Sequence, residues 1–381
     1  MDFDLTDVQA MTLDGWGKCI AKEIVPLIDH KIDEPFSKKL AHELIELMMP
    51  FGVGSGWIPE SLNGLGVDFL TSGLMFEKLS QASPDVAGLA WVAEGAALKI
   101  ANNGSESIKN QYLPRIINGE IFGCSAISEP GIGSSVREMR TTAKKDGKYF
   151  RISGEKMWVS NASVADFMIV LALTAEQEFS MFLVDKEQHG YEVQEIGKLG
   201  LNKWSMGQVL FDNIAVPEEN LLGSIGSGLR ETMKGFDRSR CFVSTLALGI
   251  AQTALDESIQ YSKERTQFGK PIAGHQLIQG MLAEMASDFS AAQLLVYKAL
   301  SIMSQGKRCE LEAAIAKSFA TEAALRIASK AIQIHGAFGL TKEFTLERHF
   351  RNARMLTIPD GTTQINQLII GRKLTGIDAF S

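Results

Sequence analysis

TTAKKDGKYFRISGEKMWVSN, from Thr141 to Asn161, is the stretch on which the reading of the fold turns. Apolar and polar residues alternate on both sides of Asp146-Gly147, and such a pair between alternating runs is a β-hairpin signal. The alternation extends outward. FGCSAISEP, DFMIVLALTA, EFSMFLVDK and GQVLFDNIAVP also read as strands, giving a β region over about 121–225. Short strands with turn residues between them predict a small barrel or sandwich.

On either side the period becomes that of a helix. DFDLTDVQAMTLDGWGKCIAKEIVPLI carries apolar residues at helical spacing, with Thr6 or Asp7 as its cap. PFSKKLAHELIELMMPFG ends at Gly52, a helix stop. SGLMFEKLSQAS and VAGLAWVAEGAALKIANNG follow the same period. Beyond 225 come three long amphipathic runs, beginning FDRSRCFV, HQLIQGML and CELEAAIA. Helices of this kind hide their apolar faces by packing as a bundle. The reading is an α+β chain with an N-terminal helical domain (1–120), a middle β-barrel or sandwich domain (121–225) and a C-terminal four-helix-bundle domain (226–381).

Bulk properties narrow the function. The 381 residues suit several subdomains, and 45% hydrophobic with 22% charged residues is ordinary for a globular protein. The net charge of −7 leaves no basic excess to neutralise phosphates, which argues against nucleic acid as a partner. Cys19, Cys124, Cys241 and Cys309 form no CxxC pair and no metal-ligand spacing, so free thiols in a reducing compartment and no metal are expected. The N-terminus lacks the basic and apolar regions of a signal peptide, and no apolar run nears the ~20 residues that span a bilayer. A cytoplasmic protein without an integral membrane segment is expected.

Three segments carry chemistry: AISEPGIGSSV (126–136), RTQFGKPIAGHQLIQ (265–279) and QIHGAFGLTKEFTLERHFRNARMLTIPDGTTQINQLIIGRKLTG (333–376), with KMWVSN (156–161) in support. In this order and spacing they resemble the acyl-CoA dehydrogenase family of flavoproteins, over essentially the whole chain. The resemblance implies FAD as cofactor, an acyl-CoA thioester as substrate, electron-transfer flavoprotein as acceptor and a homotetramer. Ser128, Trp158 and Ser160 match positions around the flavin ring, and Ser134 one near the CoA chain. Arg265, Gln267 and Phe268 resemble the segment that reaches a neighbouring subunit's FAD, where an arginine fork suits a pyrophosphate. Gln333, Gly336 and Gly339 resemble its companion, although this chain has Gly336-Ala337 where the family carries two glycines. His335 is read as a helix-end packing residue. Asp237 and Arg240 resemble the segment beside CoA and the catalytic loop. Gly361 matches a substrate-side position and Thr362 and Gln364 cofactor-side positions.

The departure lies at Asp360. The family pattern has glutamate before Gly-Thr, where it takes the α-proton of the thioester. Aspartate keeps the carboxylate but is one methylene shorter, and misplacement of ~1 Å can cost ~10²-fold in rate. Three readings stand. Asp360 is the base, and a compact or ring-shaped acyl group comes closer to it. Alternatively Glu94, in WVAEGAAL, is the base and the elimination is remote, as in a 1,4-elimination. Alternatively the chain is a non-catalytic flavoprotein. The other place where family members keep a base is Ser239 here, which cannot replace a carboxylate. LIIGRKLTGIDAF resembles the glutaryl-CoA dehydrogenase branch, yet SPDVAGLAWVAEG lacks the arginine that would hold a distal carboxylate. Branch and short base together resemble dehydrogenases of cyclohexane- and cyclohexene-carboxyl-CoA.

Overall fold

The computed structural model describes residues 4–28 and 33–379. Helices come first: α1 (Asp7–Cys19), α2 (Lys38–Met48), α3 (Phe69–Ala82), α4 (Pro84–Asn103) and α5 (Glu106–Ile117). Thr6, not Asp7, caps α1: its hydroxyl accepts from Gln9 N–H at 3.2 Å, and the Gln9 side chain accepts from Thr6 N–H at 3.1 Å. After α2 and a short 3₁₀ turn the chain stops at Gly52, whose φ of +68° is open to glycine. The helix α5 has no counterpart among the periodic stretches above, and Pro114 inside it is a residue that ordinarily ends a helix.

The strands follow: β1 (Gly123–Ala126), β2 (Thr142–Asp146), β3 (Tyr149–Ser160), β4 (Phe167–Ala175) and β5 (Glu178–Asp185). The short helix α6 (Lys186–His189) then precedes β6 (Glu192–Glu195), β7 (Met206–Pro217) and β8 (Leu221–Leu222). The hairpin expected at Asp146-Gly147 joins β2 to β3, with Asp146 opposite Tyr149. The sheet runs β6-β7-β3-β2-β4-β5-β8, with β1 parallel to β4, and its halves meet through the single parallel pair Thr142↔Leu173. Phe167, Ile169 and Leu171 of β4 and Met181 and Leu183 of β5 share a core with Ile100, Ile108 and Tyr112 of α4 and α5. The opposite face of β5 meets β3, where the Phe150 and Phe182 rings lie 4.8 Å apart. Burial on both faces explains why DFMIVLALTA is almost unbroken in apolar character.

The rest is helical: α7 (Gly228–Glu264), the hairpin β9 (Thr266–Gln267) and β10 (Lys270–Pro271), then α8 (Gln276–Ser304), α9 (Glu310–His335), α10 (Leu346–Leu356) and α11 (Thr363–Thr375). α9 packs against α8, α10 and α11. Its buried face is largely alanine, from Ala313 to Ala331, which lets neighbouring helices approach closely. α3 crosses α7 at Gly249, where a Cβ would stand 2.5 Å from the Ser80 Cβ, and Ser80 Oγ donates to Leu246 O at 2.8 Å.

Two compact units emerge. The first takes the described residues of Met1–Asp68 with Gly88–Lys198 and Asn202–Phe236; the second takes Phe69–Ala87, Leu199–Leu201 and the described part of Asp237–Ser381. All four cysteines are free thiols. Among the described residues no helix is long and apolar enough to cross a membrane, and no His/Cys/Asp/Glu group could hold a metal.

Candidate active site

In the first unit, the segment after β1 and the end of β3 are tied together. Met157 N–H donates to Ser128 O at 2.9 Å. β3 pairs with β7 with a first slip between Ile152 and Gly154, runs in register to Lys156↔Val209, slips again, and resumes at Val159↔Gly207. In that bulge Trp158 adopts φ +61°, which turns its indole outward, 51% exposed. Ser128 and Ser160 are half-buried and Ser134 is exposed. At Gly131 and Gly133 an added Cβ would meet nothing within 4 Å. An exposed aromatic plane, two hydroxyls and open glycine backbone make a donor set that fits a flavin ring.

A buried ion pair holds this platform. Lys156 is fully buried; its Nζ donates to Ile127 O at 2.8 Å and Glu129 Oε1 at 3.0 Å, on both sides of Ser128. Glu129 also accepts from Arg140 N–H at 2.7 Å and Thr141 N–H at 2.9 Å. Burial pushes the Glu129 carboxyl up, but these hydrogen bonds and the lysine charge outweigh it and hold it low. Burial lowers Lys156 to about 8 against the pull of Glu129. Beyond the bulge, Asn161 Oδ1 accepts from Trp204 Nε1–H at 2.8 Å, and Asn161 Nδ2 donates to Leu89 O at 3.0 Å.

Glu94 lies elsewhere in this unit, on α4. It is 0% exposed, and its two oxygens accept from Gly54 N–H at 2.7 Å and Trp57 N–H at 2.6 Å. The carboxylate thus anchors the turn after α2. Both of its oxygens are thereby engaged with backbone N–H groups.

In the second unit, Asp360 tops the loop between α10 and α11, half-buried, with φ +55°. Aspartate visits this left-handed conformation more readily than most side chains. Gly361 follows at φ +96°. Asn366 Nδ2 donates to Gly361 O at 2.7 Å and Thr362 O at 3.1 Å. Thr362 caps α11 by accepting from Ile365 N–H at 3.2 Å, while Gln364 is exposed. Beneath the loop, Lys317 Nζ donates to Thr357 O at 2.9 Å and Gly361 O at 2.7 Å. On α7, Arg240 Nη1 donates to Asp237 Oδ1 at 3.0 Å, and burial raises the Asp237 carboxyl despite that charge.

The same unit brings the two other expected cofactor segments side by side. Arg265 and Phe338 line one cleft of about 420 Å³, floored by Tyr261 and Phe344. Phe268, at φ +51°, is 94% exposed at the turn of the β9–β10 hairpin, with Gln267 exposed beside it. Gln333 is exposed, Gly336 at φ +60° has open space around it, and Gly339 is pressed on Ile332 O. His335 is buried and stacked on Tyr261, with centroids 4.0 Å apart, as its reading as a packing residue expects.

Sequence reading missed Lys156, Glu129, Lys317 and Asn366. The first and third had a signal: each is a lysine at a position whose period puts it on the inward face of a strand or helix.

Three family models match consecutive parts of the chain: "Acyl-CoA dehydrogenase, N-terminal domain" over 6–120, "Acyl-CoA dehydrogenase, middle domain" over 124–214 and "Acyl-CoA dehydrogenase, C-terminal domain" over 226–375. The chain is 36% identical over 363 residues to the caffeyl-CoA reductase-Etf complex subunit CarC of Acetobacterium woodii, covering 93% of this chain and 94% of that one. It is 39% identical over 279 residues to the cyclohexane-1-carbonyl-CoA dehydrogenase of Geobacter metallireducens, covering 72% of this chain and 73% of that one. The structure of butyryl-CoA dehydrogenase from Megasphaera elsdenii superposes with a TM-score of 0.92 at 32% identity, covering 98% of this chain and 100% of that one. With its flavin-fitting platform, its carboxylate loop and these matches over nearly its full length, the chain belongs to the acyl-CoA dehydrogenase family of FAD enzymes.

Proposed function

We propose that the enzyme forms a C=C bond in a cyclic acyl-CoA of the cyclohexane- or cyclohexene-carboxyl type, with Asp360 as base. The observation that carries this reading is the left-handed loop that carries Asp360, anchored through its carbonyls by Lys317 and Asn366, set against a Glu94 buried and bonded to two backbone N–H groups. Two C–H bonds break and one C=C forms. From a cyclohexane-carboxyl thioester the α-proton passes to Asp360, whose backbone N–H holds the thioester oxygen as charge develops there; a ring already unsaturated at the α-carbon has no α-proton and loses one from a more distant ring carbon instead. FAD, when bound, supplies the hydride acceptor for the β-carbon. Trp158, Ser128 and Ser160 orient its ring, and Arg265, Gln267, Phe268, Gln333, Gly336, Gly339, Thr362 and Gln364 serve the rest of the cofactor. Ser134, Asp237, Arg240 and Gly361 serve the CoA thioester.

Three points support the cyclic acyl group. The base is one methylene shorter than the family's. The Geobacter metallireducens relative is named for a cyclohexane carbonyl thioester. Residues 83–95 contain no cation for a distal carboxylate, which disfavours glutaryl-CoA. Electron-transfer flavoprotein is the proposed acceptor, in keeping with the Etf complex of the Acetobacterium woodii relative. A cytoplasmic homotetramer is proposed, with the exposed Phe268 hairpin reaching a neighbouring subunit's FAD.

Anaerobic bleaching of the flavin by a panel of acyl-CoAs tests the reading, using cyclohexanecarbonyl-, cyclohexenecarbonyl-, glutaryl- and butyryl-CoA. Bleaching by a cyclic thioester that Asp360→Ala abolishes and Glu94→Gln retains is expected. Bleaching by straight-chain thioesters alone would overturn the cyclic substrate, and loss in Glu94→Gln alone would move the base.

A further inference from the structure

Lys317 is a charged residue on the alanine-lined face of α9, with no exposed surface. Burying an ammonium is costly unless it is matched by acceptors and opposite charge. Its two acceptors are Thr357 O and Gly361 O, the carbonyls that bracket Ile358, Pro359 and Asp360. We propose that Lys317 is the positioning residue of the proton-abstracting loop: it pins the backbone on both sides of Asp360 and holds that carboxylate charged until substrate arrives. The proposal rests on the reading of Asp360 as the base.

Hydrogen bonding alone does not account for this lysine. Gly361 O has a second donor in Asn366 Nδ2, and the Thr357 side chain is held by Arg354 Nη1 at 2.6 Å. The loop therefore keeps other anchors when the amine is removed, but it loses a cation beneath the base. The other charged groups facing Lys317 come from three directions. Asp360 on the loop and Glu322 on α9 favour its proton; Arg240 on α7, itself paired with Asp237, opposes it. Glu322 also accepts from Thr363 Oγ1 at 2.6 Å, where α11 begins. Burial brings Lys317 down to about 8, with the negative charge of Asp360 resisting that fall most strongly. The pair is therefore reciprocal: the lysine favours the ionised base, and protonation of the base weakens the lysine's hold on its own proton.

The test uses the FAD-loaded protein with cyclohexanecarbonyl-CoA and butyryl-CoA. The pH dependence of flavin bleaching is followed in wild type, Lys317→Met, Lys317→Gln, Lys317→Arg and Asp360→Asn. In the substrate-free holoenzyme, infrared difference titration follows the Asp360 carboxyl, identified by its loss in Asp360→Asn. Removal of the charge in Lys317→Met and Lys317→Gln is expected to move the acid limb and the Asp360 titration upward by about one pH unit or more, and Lys317→Arg to restore them in part. If either neutral variant retains FAD while limb and titration stay where wild type has them, Lys317 is loop packing only and the inference fails with the base reading intact. Should Lys317→Met not fold, Lys317→Gln and Lys317→Arg decide the matter by the same shift. If Asp360→Asn bleaches as fast as wild type, the base reading itself falls, and this inference with it.

Discussion

Asp360 and Glu94 are two carboxylates in different settings, one on a half-buried left-handed loop and one fully buried on a helix. Glu94 spends both oxygens on Gly54 and Trp57 N–H groups. Glu94→Gln is expected to reduce flavin normally but to lose about 1.5–3 kcal/mol of stability, read by denaturant unfolding, since it removes charge-assisted bonds. Asp360→Ala should lower the rate of flavin reduction by ~10²–10⁴-fold, the usual contribution of a general base. Asp360→Glu restores the family's residue, yet with a cyclic thioester it should still lose about 10- to 100-fold, because the longer side chain overshoots and sits less readily at φ +55°. Stopped-flow bleaching measures both. At this scale the sequence announced the unusual aspartate but not the commitment of Glu94. Its partners are backbone groups some forty residues away, and no side-chain pattern encodes them.

At the scale of the element, the bulge in β3 and the Lys156–Glu129 pair behind it act together. The slip between Lys156 and Val159 reverses which way the next side chain faces, so Trp158 leaves the sheet and Val159 returns to it. Glu129→Ala leaves the Lys156 ammonium buried without its carboxylate. A loss of ~3–5 kcal/mol is expected, with a lower flavin-to-protein ratio after gel filtration. The hairpin at Asp146-Gly147 and the long helices were legible because local period and turn chemistry set them. The bulge was not, since the slip is defined only against β7. α5 was obscured by Pro114, which the last turn of that helix accommodates.

Over the whole molecule, helices, strands and helices again follow the order in which the sequence period changes, because each stretch buries its own apolar face. The electrostatic ledger was less visible. Lys156 and Lys317 are held down to about 8 by burial, against an ordinary 10.5. The unfolded chain therefore binds more protons than the folded one between those values, and the lysines' contribution to stability improves as pH rises through that window. Below about 8 both are charged in either state, and their burial is a standing cost. Lys317→Met should accordingly gain less than wild type when melting temperature is followed from pH 8 to 10, with the two curves parallel below 7.

The outward turn of Trp158 has an optical consequence. Trp16, Trp57, Trp91 and Trp204 are buried, so their emission is expected to be bluer and less sensitive to solvent. Trp158 alone among the five contributes a red, water-relaxed component. On the proposed placement of Trp158 against the isoalloxazine, which absorbs where indole emits, loading of the flavin would quench that component. On that placement the chain carries one built-in fluorophore whose red-edge intensity would report loading of the ring, separately from the bluer emission of the other four.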